Sequence, residues 1–229
     1  MTVLPVSRIG SQPAEESTLN GLDLFTGGAG LVVGTNQHGE AVALRLFRPE
    51  PTRLVVVGGL RFAQMIAFRA LALGARVVIQ SARPAAWSAF AQATAGRTDA
   101  VQLVPPGTAL DQSPTQTRPR LVVLDSGPSV GGQEAVRATG WSVTMSVREE
   151  LTAWDVDVLS VADLVLMQPL TPTEAELAAS VLGLSEVKHS LSRINADLVT
   201  VVSQGTVRWT LVAPTAVERQ LIGSLSRQS

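Results

Sequence analysis

The sequence predicts an α/β fold, a mostly parallel sheet with helices on both faces and hairpins near both ends. Three observations carry this. Short continuous apolar runs at Leu54 to Val57, Val77 to Ile79 and within Arg120 to Asp125 suit strands covered on both faces. Helical stretches with recognisable starts and stops separate those runs, and that alternation favours parallel pairing through crossover helices. Near each end, apolar and polar residues alternate about a turn: Asn36-Gln37-His38-Gly39 in one place, Gln204-Gly205 in the other.

Taken in order, residues 1–22 mix Pro, Ser, Gly and Glu without periodicity and read as a flexible leader, which leaves 23–229 as a single α/β domain. Gly30 to Phe47 is the first hairpin. Leu54 to Val57 is a strand broken by Gly58-Gly59, residues 61–73 form a helix that Gly74 ends, and Val77 to Ile79 is the next strand, which together make a βαβ crossover. Pro84 opens a helix whose Trp87 and Phe90, three residues apart, share a core-facing side. A loop rich in Pro, Thr and Gln follows at 105–119.

The second half resumes with Arg120 to Asp125, RLVVLD, a buried strand ending in a carboxylate before the turn SGPSVGG. Trp141 to Met145 is a strand, and Ser146 with Glu149 three residues on is expected to cap a helix, with Glu149 and Glu150 at its positive end and Asp155 and Asp157 facing water. Ala162 to Gln168 is a further strand. Thr171-Pro172-Thr173-Glu174 has the residues of a capping box with proline in the first turn, and Gly183 stops that helix. The closing hairpin about Gln204-Gly205 leads to a helix opened by Pro214.

The Gly58-Gly59 turn is the place to look for a nucleotide. A dinucleotide site needs G-x-G-x-x-G/A so that the backbone can approach the pyrophosphate, and the register here reads Gly58, Gly59, Leu60, Arg61, Phe62, Ala63. Leu60 fills the position that must stay bare. A P-loop needs lysine for the β/γ-phosphates and a hydroxyl for Mg²⁺, and GGLRFAQMI at 58–66 supplies neither. Arg61 and the first N–H groups of the helix would still favour an anion. Gly58 and Gly59 equally suit a plain strand-to-helix turn, so the fold is P-loop-like or Rossmann-like without its function being implied. After the second strand, Ser81 and Arg83 stand where an NADP enzyme binds the 2′-phosphate. Asp125 ends its strand where a Walker B aspartate would hold Mg²⁺ for ATP, and it equally suits a cap for the Ser-Gly-Pro turn. These vestigial positions, Gly58, Gly59, Arg61, Ser81, Arg83 and Asp125, are the candidate cofactor-binding set, with NADP or ATP the alternatives to no cofactor at all.

Composition removes other classes. The 229 residues are 45% hydrophobic, enough for a sizeable core, and 18 basic against 19 acidic residues leave a net charge of -1 with no drive toward nucleic acid. Lys188 is the only lysine, so 17 of the 18 cations are arginines and a catalytic lysine has one candidate, in the polar stretch SEVKHSLSR. There is no cysteine, and the two histidines, His38 and His189, lack carboxylate neighbours at ligand spacing, so no metal or catalytic residue is assigned. No stretch reaches the roughly 18 uncharged apolar residues of a membrane span.

The run GLVVGTNQHGEAVALRLFRPEPTRLVVVGGLRFAQMIAFRALALGARVVI resembles the hairpin, P-loop strand and first helix of FtsK/HerA-type motor domains. RLVVLD then corresponds to the Walker B strand, GWSVTMSVRE to the strand after it, and TVVSQGTVRWTLVAP to the closing hairpin. The same segment resembles the cytosolic part of EccE, a core component of actinobacterial type VII (ESX) secretion systems. The likeness covers 28–222 and lacks the motor family's lysine and hydroxyl and the N-terminal membrane helices of EccE. It implies a pseudo-ATPase-like, non-catalytic structural or interaction part of such a system, with protein partners that include an FtsK-type ATPase. It places the chain in the cytoplasm, at the inner face of the membrane through those partners. An NAD(P)-dependent oxidoreductase and an anion or small-molecule binding module are the readings from other classes.

Overall fold

The computed structural model describes residues 30–94, 100–110, 113–127, 139–225 and 227, so the leader at 1–22 and most of the SGPSVGG turn lie outside the described residues. The strands are β1 (Leu31–Thr35), β2 (Ala41–Leu44), β3 (Thr52–Val57), β4 (Arg76–Ser81), β5 (Val101–Val104), β6 (Arg120–Asp125), β7 (Ser142–Arg148), β8 (Leu164–Met167), β9 (Leu198–Ser203) and β10 (Thr206–Leu211). The helices are α1 (Leu60–Ala72), α2 (Pro84–Thr94), α3 (Val156–Ser160), α4 (Pro172–Leu182), α5 (Lys188–Leu191) and α6 (Ala216–Ile222).

All the strands join one sheet in the order β2-β1-β10-β9-β8-β3-β7-β6-β4-β5. From β8 to β5 the neighbours run parallel. From β2 to β8 they run antiparallel, because the two hairpins lie side by side at one edge, with Thr35 of β1 opposite Leu211 of β10. The strand that carries the glycine turn, β3, is central and pairs with β8 and β7, while β4, the next strand of the crossover, lies three places away. A Rossmann sheet keeps its first two strands adjacent, so of the two sequence-level topologies the Rossmann one is corrected.

One face of the sheet packs against α1, α2 and α6 through Phe62, Met65, Ile66, Trp87, Phe90 and Ile222. The other packs against α3, α4 and α5 through Leu159, Ala175, Ala178, Ala179 and Leu191. The 105–119 loop returns to the sheet, where the Gln80 side-chain amide donates to Thr108 O and accepts from Gly107 N, and Leu110 packs on β6.

Most elements fall where the sequence puts them, and three do not. Ser146 caps nothing: β7 runs on to Arg148, since it lies between β3 and β6 and both ladders claim its backbone. The helical turn begins at Thr152, whose box partner is Asp155, so Asp155 is 1% exposed and paired with Arg148 instead of facing water. At α6 the cap is Thr215, which leaves Pro214 one residue outside the helix. The capping box of Thr171 and Glu174 and the left-handed stop at Gly183 form as expected. No helix among the described residues is long and apolar enough to cross a membrane.

Candidate functional site

The parallel strands β3, β4, β6, β7 and β8 all end at one rim of the sheet, and the candidate residues gather there in two groups. The first surrounds the glycine turn. Gly58 has φ 153, and a Cβ on it would lie 2.4 Å from Oε1 of Gln168, so any side chain there strains the backbone and crowds the Gln168 amide. Gly59 N–H donates to that same Oε1 at 2.8 Å, and the Gln168 amide nitrogen donates to Leu225 O at 2.6 Å. Gln168 follows β8 immediately and stands over the turn as a bridge to the segment after α6. Arg61, in the first turn of α1, donates to Ser224 O at 3.3 Å.

The second group surrounds Asp125. Its buried carboxylate accepts two bonds from Arg83, Nε to Oδ2 and Nη2 to Oδ1, both at 2.9 Å. Oδ2 also accepts from Ser81 Oγ at 3.0 Å and from Trp87 Nε1 at 2.6 Å. The Asp125 hydrogen bond holds the Arg83 guanidinium above its ordinary pKa against the opposing effect of burial, with the Asp125 charge and Glu149 adding to it. Arg83 Nη1 meets Glu149 at 2.9 Å, which links the ends of β4, β6 and β7. Both oxygens of Asp125 thus bond across the sheet to the end of β4 and to α2, while most of the turn it is expected to cap lies outside the described residues.

Between the groups runs the segment after α6. Arg227 donates to Pro169 O at 2.9 Å, to Glu149 O at 3.0 Å and to the Glu174 carboxylate. Glu174 is 4% exposed and also accepts from Leu151 N and Thr171 N. Burial pushes its carboxyl up, but the Arg227 bond and those two N–H groups outweigh it and hold the group below its usual range.

No protein-family model matches the sequence, and no curated protein does. Solved structures do match the fold. VirB4 of Thermoanaerobacter pseudethanolicus aligns with TM-score 0.62 at 9% identity over 84% of this chain and 98% of that one. The cytoplasmic domain of the Thermomonospora curvata type VII secretion ATPase EccC aligns with TM-score 0.56 at 11% identity over 86% of this chain, which spans 31% of EccC's. The genome packaging NTPase B204 of Sulfolobus turreted icosahedral virus 2, solved with AMP, aligns with TM-score 0.52 at 11% identity over 73% of this chain and 100% of that one. This chain has a P-loop ATPase-like fold.

The Gly58-Gly59 turn and Asp125, the two places where the sequence reading looks for a phosphate loop and a Walker B acid, both lie at this rim. The residues present do not fit a Mg-nucleotide. No lysine or hydroxyl stands at 58–66, the sole lysine, Lys188, pairs with Glu176 at 2.6 Å, and both oxygens of Asp125 are bonded to a guanidinium. Among the described residues no three His, Cys, Asp or Glu side chains group to hold a metal. Sequence reasoning missed Arg227 and did not bring Gln168, Glu149 or Glu174 to this rim as site residues. Gln168 left a trace as a polar residue at the carboxyl end of a buried strand, and Glu149 and Glu174 read only as helix-cap residues.

Proposed function

We propose that this chain is a non-catalytic P-loop-like domain, a structural or interaction component of an actinobacterial type VII secretion assembly. The observation that carries the non-catalytic part is the two-point bond between Arg83 and Asp125. An internal cation takes the place that Mg²⁺ would need, and the turn that would cradle phosphates has no lysine. The assembly part rests on the EccE-like run from the first hairpin to β4, and the fold it shares with EccC supports it. Its partners are then proteins of the secretion complex, an FtsK-type ATPase among them, and it works in the cytoplasm, held at the inner membrane face by those partners.

Calorimetry with ATP and Mg²⁺ tests the first part, and no heat of binding is expected. Micromolar affinity with turnover abolished by Asp125→Ala would sink it. Co-purification with the FtsK-type ATPase of a type VII secretion system tests the second part. If the two proteins migrate separately, the assembly reading falls while the non-catalytic one stands.

A further inference from the structure

We infer that the rim of the sheet is a peptide-binding groove, built to take a segment bearing an arginine, and that Gly223, Ser224, Leu225 and Arg227 of this chain are its resident ligand. The inference does not depend on which assembly the domain joins.

The groove reads backbone at two successive positions. Arg61 donates to the carbonyl of Ser224 and Gln168 donates to the carbonyl of Leu225, so a peptide is held there irrespective of its side chains. Gln168 is itself fixed by Gly59 N–H, and the phosphate-loop position thereby becomes part of a peptide contact. Before these, the segment needs a small residue: Gly223 has φ 86, and a Cβ on it would lie 3.1 Å from Arg61 Nη1.

Specificity comes two residues after Leu225. The Arg227 guanidinium enters a pocket with three acceptors, Glu149 O and Pro169 O on two loops and the buried Glu174 carboxylate in the first turn of α4, and its own side chain is 15% exposed. A planar fork can meet three such acceptors at once, whereas a lysine ammonium is a single point charge. A cavity of about 370 Å³ beside the groove, lined by Phe62, Gln168, Val212 and Leu225 among others, leaves room for an apolar side chain. A segment of this kind on another protein would have to displace the resident one. Occupancy in cis lowers the apparent affinity for any competitor by the fraction of time the groove is open.

The test uses the full chain and a labelled peptide of sequence GSLSRQS, residues 223–229, titrated by fluorescence anisotropy. With the resident arginine removed by Arg227→Ala, the peptide should bind about tenfold or more tighter than to the wild-type chain, as expected if the groove is open a tenth of the time or less. Peptides with lysine or alanine in place of the arginine should bind at least about tenfold more weakly, through loss of the charge-assisted fork. Adding Glu174→Gln to the Arg227→Ala chain, which keeps an acceptor for the α4 cap, should reduce binding again. Equal affinity for the wild-type and Arg227→Ala chains, no binding to either, or indifference to the arginine of the peptide would each overturn the inference. Thermal melts of every variant confirm that it is folded.

Discussion

Arg83 and Asp125 meet through two parallel hydrogen bonds of 2.9 Å at the carboxyl ends of neighbouring strands, and Trp87 Nε1 completes the arrangement at 2.6 Å. Asp125 is 5% exposed while the Arg83 side chain is 41% exposed, so the pair has one buried and one wetted partner. Removing the partner of a fully buried charge costs about 3 to 5 kcal/mol, and water reaching the vacated Arg83 site reduces this. Arg83→Met is therefore expected to lower stability by about 2 kcal/mol in urea denaturation. Trp87→Phe, which removes one donor and keeps the ring stacked edge-on against Phe90, should cost about 1 kcal/mol. The two losses should fall short of additive when combined, because both act on the same carboxylate.

Gly58 permits a second experiment. Alanine there meets two obstacles, the φ of 153 and Gln168 Oε1 at 2.4 Å from the new Cβ. Gly58→Ala should destabilise the domain by about 2 to 3 kcal/mol, from backbone strain and overpacking together. Gln168→Ala in the same chain should recover the steric share and leave the backbone share, so the double variant should be more stable than Gly58→Ala alone. Urea midpoints of the four chains settle the partition, and full additivity would show that the two residues do not meet.

These two sites differ in how far the sequence discloses them. RLVVLD marks a buried strand with a terminal carboxylate from local pattern alone, and the structure returns it as Arg120–Asp125. Thr171 and Glu174 are equally legible, because a capping box is complete within four residues. Ser146 shows where local pattern fails. Ser-x-x-Glu has the right residues for a cap, yet the strand between two paired neighbours keeps its backbone in the ladder. The partners of the candidate site are more distant still. Gln168 is 109 residues from Gly59 and 57 from Leu225, and no spacing rule reaches across a strand order that tertiary packing decides.

Stability should fall in acid for a reason that can be assigned. Burial raises the carboxyls of Glu174 and Glu218, but hydrogen bonds from Arg227 and Arg69 respectively, with backbone N–H groups, bring both below their ordinary value of 4.5. A folded-state value below the unfolded one means a contribution fully present above pH 4.5 and lost as pH falls through the folded value. Melting temperature is therefore expected to hold between about pH 7 and pH 5 with respect to these groups and to drop below that. Glu174→Gln with Glu218→Gln should flatten the acid limb in thermal melts across the series. An unchanged slope would assign the acid loss to other carboxylates.

Arg69 and Glu218 tie three elements together. From α1, Arg69 donates Nε to Oε1 of Glu218 at 2.5 Å and Nη2 to Oε2 at 3.0 Å, while Nη1 reaches Val32 O at 2.9 Å and Val33 O at 2.7 Å on β1. Glu218 is 3% exposed, so Arg69→Met leaves a buried carboxylate whose remaining backbone donor is Thr215 N. The expected loss is about 3 kcal/mol, at the lower end for a broken buried pair because the capping box still serves the carboxylate. Arg69→Lys should recover little of it, since one ammonium cannot span both the carboxylate and the β1 carbonyls. Adding Glu218→Gln to Arg69→Met should restore part of the stability by removing the unpaired charge, and the carbonyls of β1 should account for the remainder. Guanidinium denaturation of the three variants checks the order. If Arg69→Lys matches the wild type, the link to β1 contributes nothing and a point charge beside Glu218 is enough.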